Sequence, residues 1–223
     1  MSLKNIIFDM DGVLVDSEPM YWFRIKNFAK FHGVELTREE SLRMVGRAFR
    51  KDLEFLSNKL GGKYSAEELE ARYRDPANHP YFVLPTYSEI IMPYVRYVLP
   101  RFKEMGLSLA IASSSSREQI GRAIRECQLE KFFDLYVSGD EFRKSKPDPE
   151  IYLTTLDRMG AKSEETIVIE DSTYGIQAAK GAGLRVIARE DDRFHFDQSE
   201  ADYRVGSLYE AYFLIKEELV SES

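Results

Sequence analysis

An α/β architecture, with a doubly wound parallel sheet and an inserted all-helical segment, is what this sequence predicts, and three observations predict it. Short branched apolar runs of strand length alternate with stretches of helical spacing, the pattern of a parallel sheet joined by right-handed crossovers. The first such run is followed by a long segment, from Pro19 to about Leu84, that has helical patterns and no strand. Several runs also end on Asp, Glu or Ser, and ligands bind at the carboxyl edge of open α/β sheets.

The elements follow in order. Asn5–Phe8 reads as a buried strand that stops at Asp9, with Asp11 two residues on and Gly12 able to turn where a Cβ would obstruct. Two carboxylates at such range repel unless a cation lies between them, and Mg²⁺ is the simplest choice for carboxylate and carbonyl oxygens. Asp and Gly after a strand are also ordinary turn residues. The pair gains weight only because other charged and hydroxyl groups recur at later strand ends.

Asp16, Ser17 and Pro19 open a helix carrying Tyr21, Trp22, Ile25, Phe28 and Ala29, expected to be largely core, which ends before Gly33. Capping boxes at Thr37–Glu40 and Ser65–Glu68 start the second and fourth helices, and Asp52–Leu60 reads as the third. Pro76 and Pro80 should break the fourth before Tyr81. After Met92-Pro93 a helix with Val95, Val98, Leu99 and Phe102 inward runs to Gly106, and Pro100 should kink it. Leu107–Ala112 is the second strand, followed by Ser113–Ser116 and a helix opened by the Ser116–Gln119 box. Hydroxyls and free amides there make an anion site by geometry. Asp134–Ser138, Thr166–Ile169, Leu184–Ala188 and the short Tyr203–Val205 supply further strands, with helices near 150–159, 174–180 and from 208. Lys146 stands before Pro147 and Pro149 on a stiff backbone, and Glu170-Asp171-Ser172 ends the fourth strand.

Composition narrows the function classes. With 223 residues, 43% of them hydrophobic, the chain can fill a real core in one or two domains. A formal charge of −7 and the lack of a Lys/Arg cluster argue against nucleic acid or an anionic membrane as partner. One cysteine, Cys127, allows no internal disulfide and is expected in the core. No apolar run reaches the ~18 residues of a membrane span, and the start lacks a signal-peptide layout, so a cytoplasmic location is expected. His32, His79 and His195 have no zinc-ligand spacing. A monomer is expected.

Four motifs stand in order: FDMDG at 8–12, IASSS at 111–115, KPDP at 146–149 and IEDS at 169–172. Together they resemble the haloacid dehalogenase superfamily of phosphatases and phosphomutases. The nearest subgroup carries a helical cap between the first two motifs and includes β-phosphoglucomutase and sugar-phosphate phosphatases. The resemblance implies a Rossmann-like core at 1–16 and 89–223 and a cap at 17–88, moving on hinges near Val15–Ser17 and Leu84–Pro93. It implies Asp9 as nucleophile, Asp11 as general acid and base, and Ser113 with the Ser114 amide as phosphate holders. Lys146 would offset charge, and Mg²⁺ would be bound by Asp9, the Asp11 carbonyl, Asp171 and Glu170. Arg47 and Arg50 match the cap's substrate-facing loop. The expected substrate is a small phosphorylated metabolite, a sugar phosphate first.

Departures from the pattern favour a phosphatase over a mutase. Tyr21 and Val45 stand where β-phosphoglucomutase has a cap histidine and lysine, and neither replaces that charge or proton transfer. A phospho-accepting regulatory or binding module is the alternative from another class. Asp11 speaks against it, because a positioned acid and base shortens the life of an aspartyl-phosphate.

Overall fold

The first strand, β1 (Asn5–Phe8), is buried along its whole length, and the rest of its unit is layered around it. The structure is a computed structural model that describes residues 3–44, 49–78, 85–194 and 196–220. The chain forms two compact units, Met1–Asp16 with Thr86–Ser223, and Ser17–Pro85.

In the larger unit β1 is joined by β2 (Ser108–Ser113), β3 (Leu135–Ser138), β4 (Thr166–Glu170), β5 (Arg185–Arg189) and β6 (Tyr203–Val205). They make one sheet in the order β3-β2-β1-β4-β5-β6, and every pairing is parallel. β1 therefore lies where the winding reverses, the position at which open α/β sheets bind ligands. The register sets Phe8 beside both Ile111 and Ile169, so the residues that follow these strands emerge at one edge.

Alternation along the strands splits the core into two layers, as expected of a sheet covered on both faces. Ile6, Phe8, Leu109, Ile111, Ile167 and Ile169 face one layer, while Ile7, Ala110, Ala112, Val168 and Val186 face the other. The first layer is closed by α5 (Val95–Glu104), α6 (Arg117–Cys127) and α9 (Leu208–Val220), the second by α7 (Glu150–Met159) and α8 (Thr173–Gly181). Cys127 is fully buried on α6, where burial pushes its thiol up to about 11. α5 runs through Pro100.

The smaller unit is helical among its described residues: α1 (Glu18–Phe31), α2 (Arg38–Leu42), α3 (Phe49–Lys59) and α4 (Ala66–Arg74). Both expected capping boxes form, at Thr37 and Ser65. It has its own apolar core of Ile25, Phe28, Ala29, Leu53, Leu56 and Leu69 among others, whereas Tyr21 and Trp22 are only half-buried. α3 begins at Phe49, ahead of the expected Asp52, because the Phe49 ring packs on Tyr73 at 4.7 Å and extends the apolar face. After α4 a short 3-10 turn, Pro76–Asn78, takes the chain out of the helix. The expected break at Pro80 falls outside the described residues, as do Val45, Arg47, His79 and His195. Among the described residues no helix is long and apolar enough to cross a membrane.

Leu53 is fully buried in the smaller core. Leu53→Ala is expected to cost about 2–5 kcal/mol through lost transfer energy and the cavity left behind, read as a drop in urea midpoint.

Candidate active site

Each strand end at the sheet's carboxyl edge delivers a polar group. Asp9 follows β1, and its N–H donates to the Ile169 carbonyl of β4 at 2.9 Å, which carries the strand pairing up to the carboxylate itself. Glu170 closes β4 and Asp171 follows it; oxygens of Asp9, Glu170 and Asp171 lie within 4.8 Å of one another. Gly12 makes this approach possible. Its φ is +76°, and a Cβ there would lie 2.0 Å from Asp171 Oδ2. Gly175 in α8 does the same for Glu170, whose Oε1 lies 1.5 Å from where a Cβ would project.

Lys146 reaches into this cluster from the loop before α7. Its ammonium donates to Asp9 Oδ1 at 2.7 Å, Glu170 Oε1 at 2.8 Å and the Ala112 carbonyl at 3.1 Å, and lies 3.0 Å from the Tyr152 hydroxyl. The Lys146 and Glu170 side chains are 6% and 1% exposed, so the pair is taken from water and must be satisfied within the protein. Burial alone would lower the Lys146 ammonium, but Asp9 and Glu170 outweigh it and hold the group well above the ordinary lysine value. Burial raises Asp9 from 3.8 to about 7, with Lys146 pulling the other way and Glu170 and Asp11 adding repulsion. One ammonium thus leaves the carboxylates short of positive charge. A divalent cation with a preference for oxygen fits that deficit, and the cluster of Asp9, Glu170 and Asp171 could hold it. Glu170 lies in the cluster, but its two oxygens accept five hydrogen bonds, from Lys146, Tyr152, the Asp171 and Ser172 amides and the Ser172 hydroxyl.

Asp11 is held from the second strand end. The Ser115 hydroxyl donates to Asp11 Oδ2 at 2.7 Å, and the Ser113 hydroxyl is 3.4 Å from the same oxygen. Ser113 is buried and Ser114 exposed. The serine loop is braced from β3: Ser138 donates to the Ser115 carbonyl at 2.8 Å, and Gly139 packs so closely on Ser114 that a Cβ would meet its carbonyl oxygen at 2.6 Å. Ser116 caps α6 with Gln119 as expected.

The structure therefore brings Asp9, Lys146, Glu170 and Asp171 together and links Asp11 to Ser113. In the helical unit, Arg50 is exposed and paired with Glu67 and Glu54. Sequence reasoning missed Tyr152, Ser115 and Gly175. Tyr152 stands in the first turn of α7, six residues after Lys146, among residues of the helix's buried face; Gly175 left the clearer signal, as a glycine inside a helix.

The state of Asp9 gives a stability test in metal-free solution. A carboxyl raised from 3.8 to about 7 binds its proton more tightly in the folded chain, so its stabilising contribution is complete below about pH 4 and is lost as pH climbs through about 7. Denaturation in chelator between those limits is expected to show stability falling with pH, and Asp9→Asn to flatten that part of the curve.

The chain has relatives. The chain is 36% identical over 187 residues, 83% of its length and 84% of the relative's, to a phosphorylated carbohydrates phosphatase of Thermotoga maritima. It is 29% identical over 184 residues to the phosphoglycolate phosphatase of Aquifex aeolicus, covering 82% of this chain and 83% of that one. A solved Thermotoga maritima structure, described as a candidate β-phosphoglucomutase, superposes with a TM-score of 0.73 at 32% identity, over 96% of this chain and 99% of that one. From β1 to the end of β5, residues 6–189 match the family of haloacid dehalogenase-like hydrolases, and it is to this family of enzymes that the chain belongs.

Proposed function

We propose that the protein is a Mg²⁺-dependent phosphatase that hydrolyses a small phosphate monoester, a phosphorylated carbohydrate first, through an aspartyl-phosphate on Asp9. The observation that carries this reading is the buried Asp9 carboxylate, held at 2.7 Å by Lys146 beside two further carboxylates at the sheet's carboxyl edge. The 36% identity to a phosphorylated carbohydrates phosphatase supports the substrate class.

The chemistry follows from the side chains. Asp9 attacks phosphorus, the ester P–O bond breaks, and Asp11 gives its proton to the leaving oxygen. Water then attacks the phosphorus of the aspartyl-phosphate, Asp11 takes a proton from it, and phosphate leaves with Asp9 restored. Ser113 and the Ser114 amide hold phosphoryl oxygens at the start of α6, where hydroxyls and unpaired amides favour anions. Lys146 fixes the Asp9 carboxylate and offsets its charge, without which one anion would attack another. Bound by Asp9, Asp171 and the Asp11 carbonyl, Mg²⁺ would neutralise charge on the phosphoryl group. Glu170 contributes mainly by anchoring Lys146.

The segment 17–88 acts in this reading as a cap that selects the ester and excludes water. Arg47 and Arg50 are its candidate substrate contacts. Arg50 must then exchange its carboxylate partner Glu67 for the substrate's anionic group.

Phosphate release from a panel of sugar phosphates, nucleotides and small esters tests the reading. Release is expected with Mg²⁺, to vanish with chelator, and to fall by at least about three orders of magnitude in Asp9→Asn, the scale seen when a catalytic nucleophile is removed. No release together with isomerisation of a hexose 1-phosphate to the 6-phosphate would make the protein a mutase. Stable phosphorylation of Asp9 without turnover would make it a phospho-accepting module.

A further inference from the structure

The loop after β5 carries charged groups that the chemistry above does not use. Arg189, buried at the end of β5, donates from Nε to the Gly12 carbonyl, from Nη1 to the Glu190 carbonyl at 3.1 Å and from Nη2 to Asp191 Oδ2 at 2.8 Å. The Asp191 side chain is only 5% exposed, and its other oxygen accepts from the Arg193 amide at 3.0 Å and Nε at 2.8 Å. The Arg193 fork then spans to Asp16, with Nη1 to Oδ2 at 2.9 Å and Nη2 to Oδ1 at 2.7 Å. An alternating run of guanidinium and carboxylate thus connects Gly12 to Asp16.

Those two residues are the ends of one turn. The Gly12 N–H donates to the Val15 carbonyl at 2.8 Å, and Gly12 follows directly on Asp11. At the far end the Asp16 N–H donates to Ile90 at 2.7 Å, Val15 bridges Ile91, and Asp16 is the last residue of the sheet unit before Ser17. An exposed ion pair on its own contributes little. Here the Arg193 fork is bidentate on Asp16 and rests on a buried carboxylate, which are the conditions under which such pairs fix geometry.

We propose that Arg193 is a positioning residue for hydrolysis: acting through Asp16, and through Asp191 and Arg189 on the Gly12 carbonyl, it sets the turn that aims Asp11. The kinetic part of this proposal rests on the phosphatase reading. The structural part does not.

The test uses the full-length protein with Arg193→Gln, Asp16→Asn, the double variant and Arg193→Lys. Arg193 is half exposed, so its replacement spares the core. Amide exchange at Asp16 is expected to quicken by about tenfold or more in Arg193→Gln, with the melting temperature nearly unchanged, as a local opening requires. With a hydrolysed ester, kcat is expected to fall several-fold at near-constant KM, because a misaimed acid slows chemistry rather than binding. The double variant is expected to be no worse than the poorer single one, and Arg193→Lys to restore only part of the loss, since an ammonium cannot span both oxygens. Unchanged exchange at Asp16 in Arg193→Gln would overturn the proposal. So would additive losses in the double variant, or a rise in KM with kcat intact. If the wild-type protein hydrolyses no ester, the phosphatase reading fails, while the exchange comparison still decides whether Arg193 sets the turn.

Discussion

Three carboxylates crowded together, two of them bound to one buried ammonium, are the constraint on which the rest of this molecule depends. Left alone, such a group would neutralise by taking up protons, and the raised Asp9 carboxyl is that tendency made visible. The fold holds the group together because each member is fixed by backbone it cannot leave. Asp9 continues the β1–β4 pairing through its own amide, and Glu170 is clasped by the two amides after it. The Lys146 ammonium lies over the Tyr152 ring, 4.9 Å from its centroid. The parallel sheet supplies this rigidity where the winding reverses, so electrostatic cost and topological position coincide.

Two glycines show how little room the arrangement leaves. At Gly12 and Gly175 a single added carbon would overlap a carboxylate of the cluster. The glycines let backbone and carboxylate lie in direct contact, and any side chain there would push the oxygens away. The serine loop is confined in the same manner by Gly139 on the neighbouring strand end. Shape, as much as charge, defines the site.

Much of this was legible in the sequence because it lies in local pattern. β1, β2 and β4 are built on the short apolar runs Ile6–Phe8, Leu109–Ala112 and Ile167–Ile169, and Asp9, Asp11, Ser113, Glu170 and Asp171 stand at or just beyond their ends, so reading the strand reads the site. The capping boxes at Thr37, Ser65 and Ser116 formed where their spacing placed them. What escaped depends on contacts between distant segments. Tyr152 resembles any core aromatic until α7 lays its hydroxyl beside Lys146. Arg189 looks like a solvated strand end, yet it is buried against a carbonyl 177 residues away in the chain. Arg50 carries no sign in its own segment that Glu67, on the next helix, is its partner. The early start of α3 at Phe49 likewise follows from a ring on another helix, Tyr73.

The pairing of Val15 with Ile91, and of the Asp16 amide with Ile90, sets the departure and return of the chain side by side on the sheet unit. The ends of everything between them are already closed by backbone bonds that belong to the sheet. Lengthening or replacing the intervening helices therefore adds only a slowly growing loop entropy, and the helical unit keeps an apolar core of its own. Architecturally that segment is an exchangeable cassette: a helical insert of another length can close on the same Val15–Ile91 and Asp16–Ile90 bonds and leave the carboxylates, the lysine and the strands that hold them where they are.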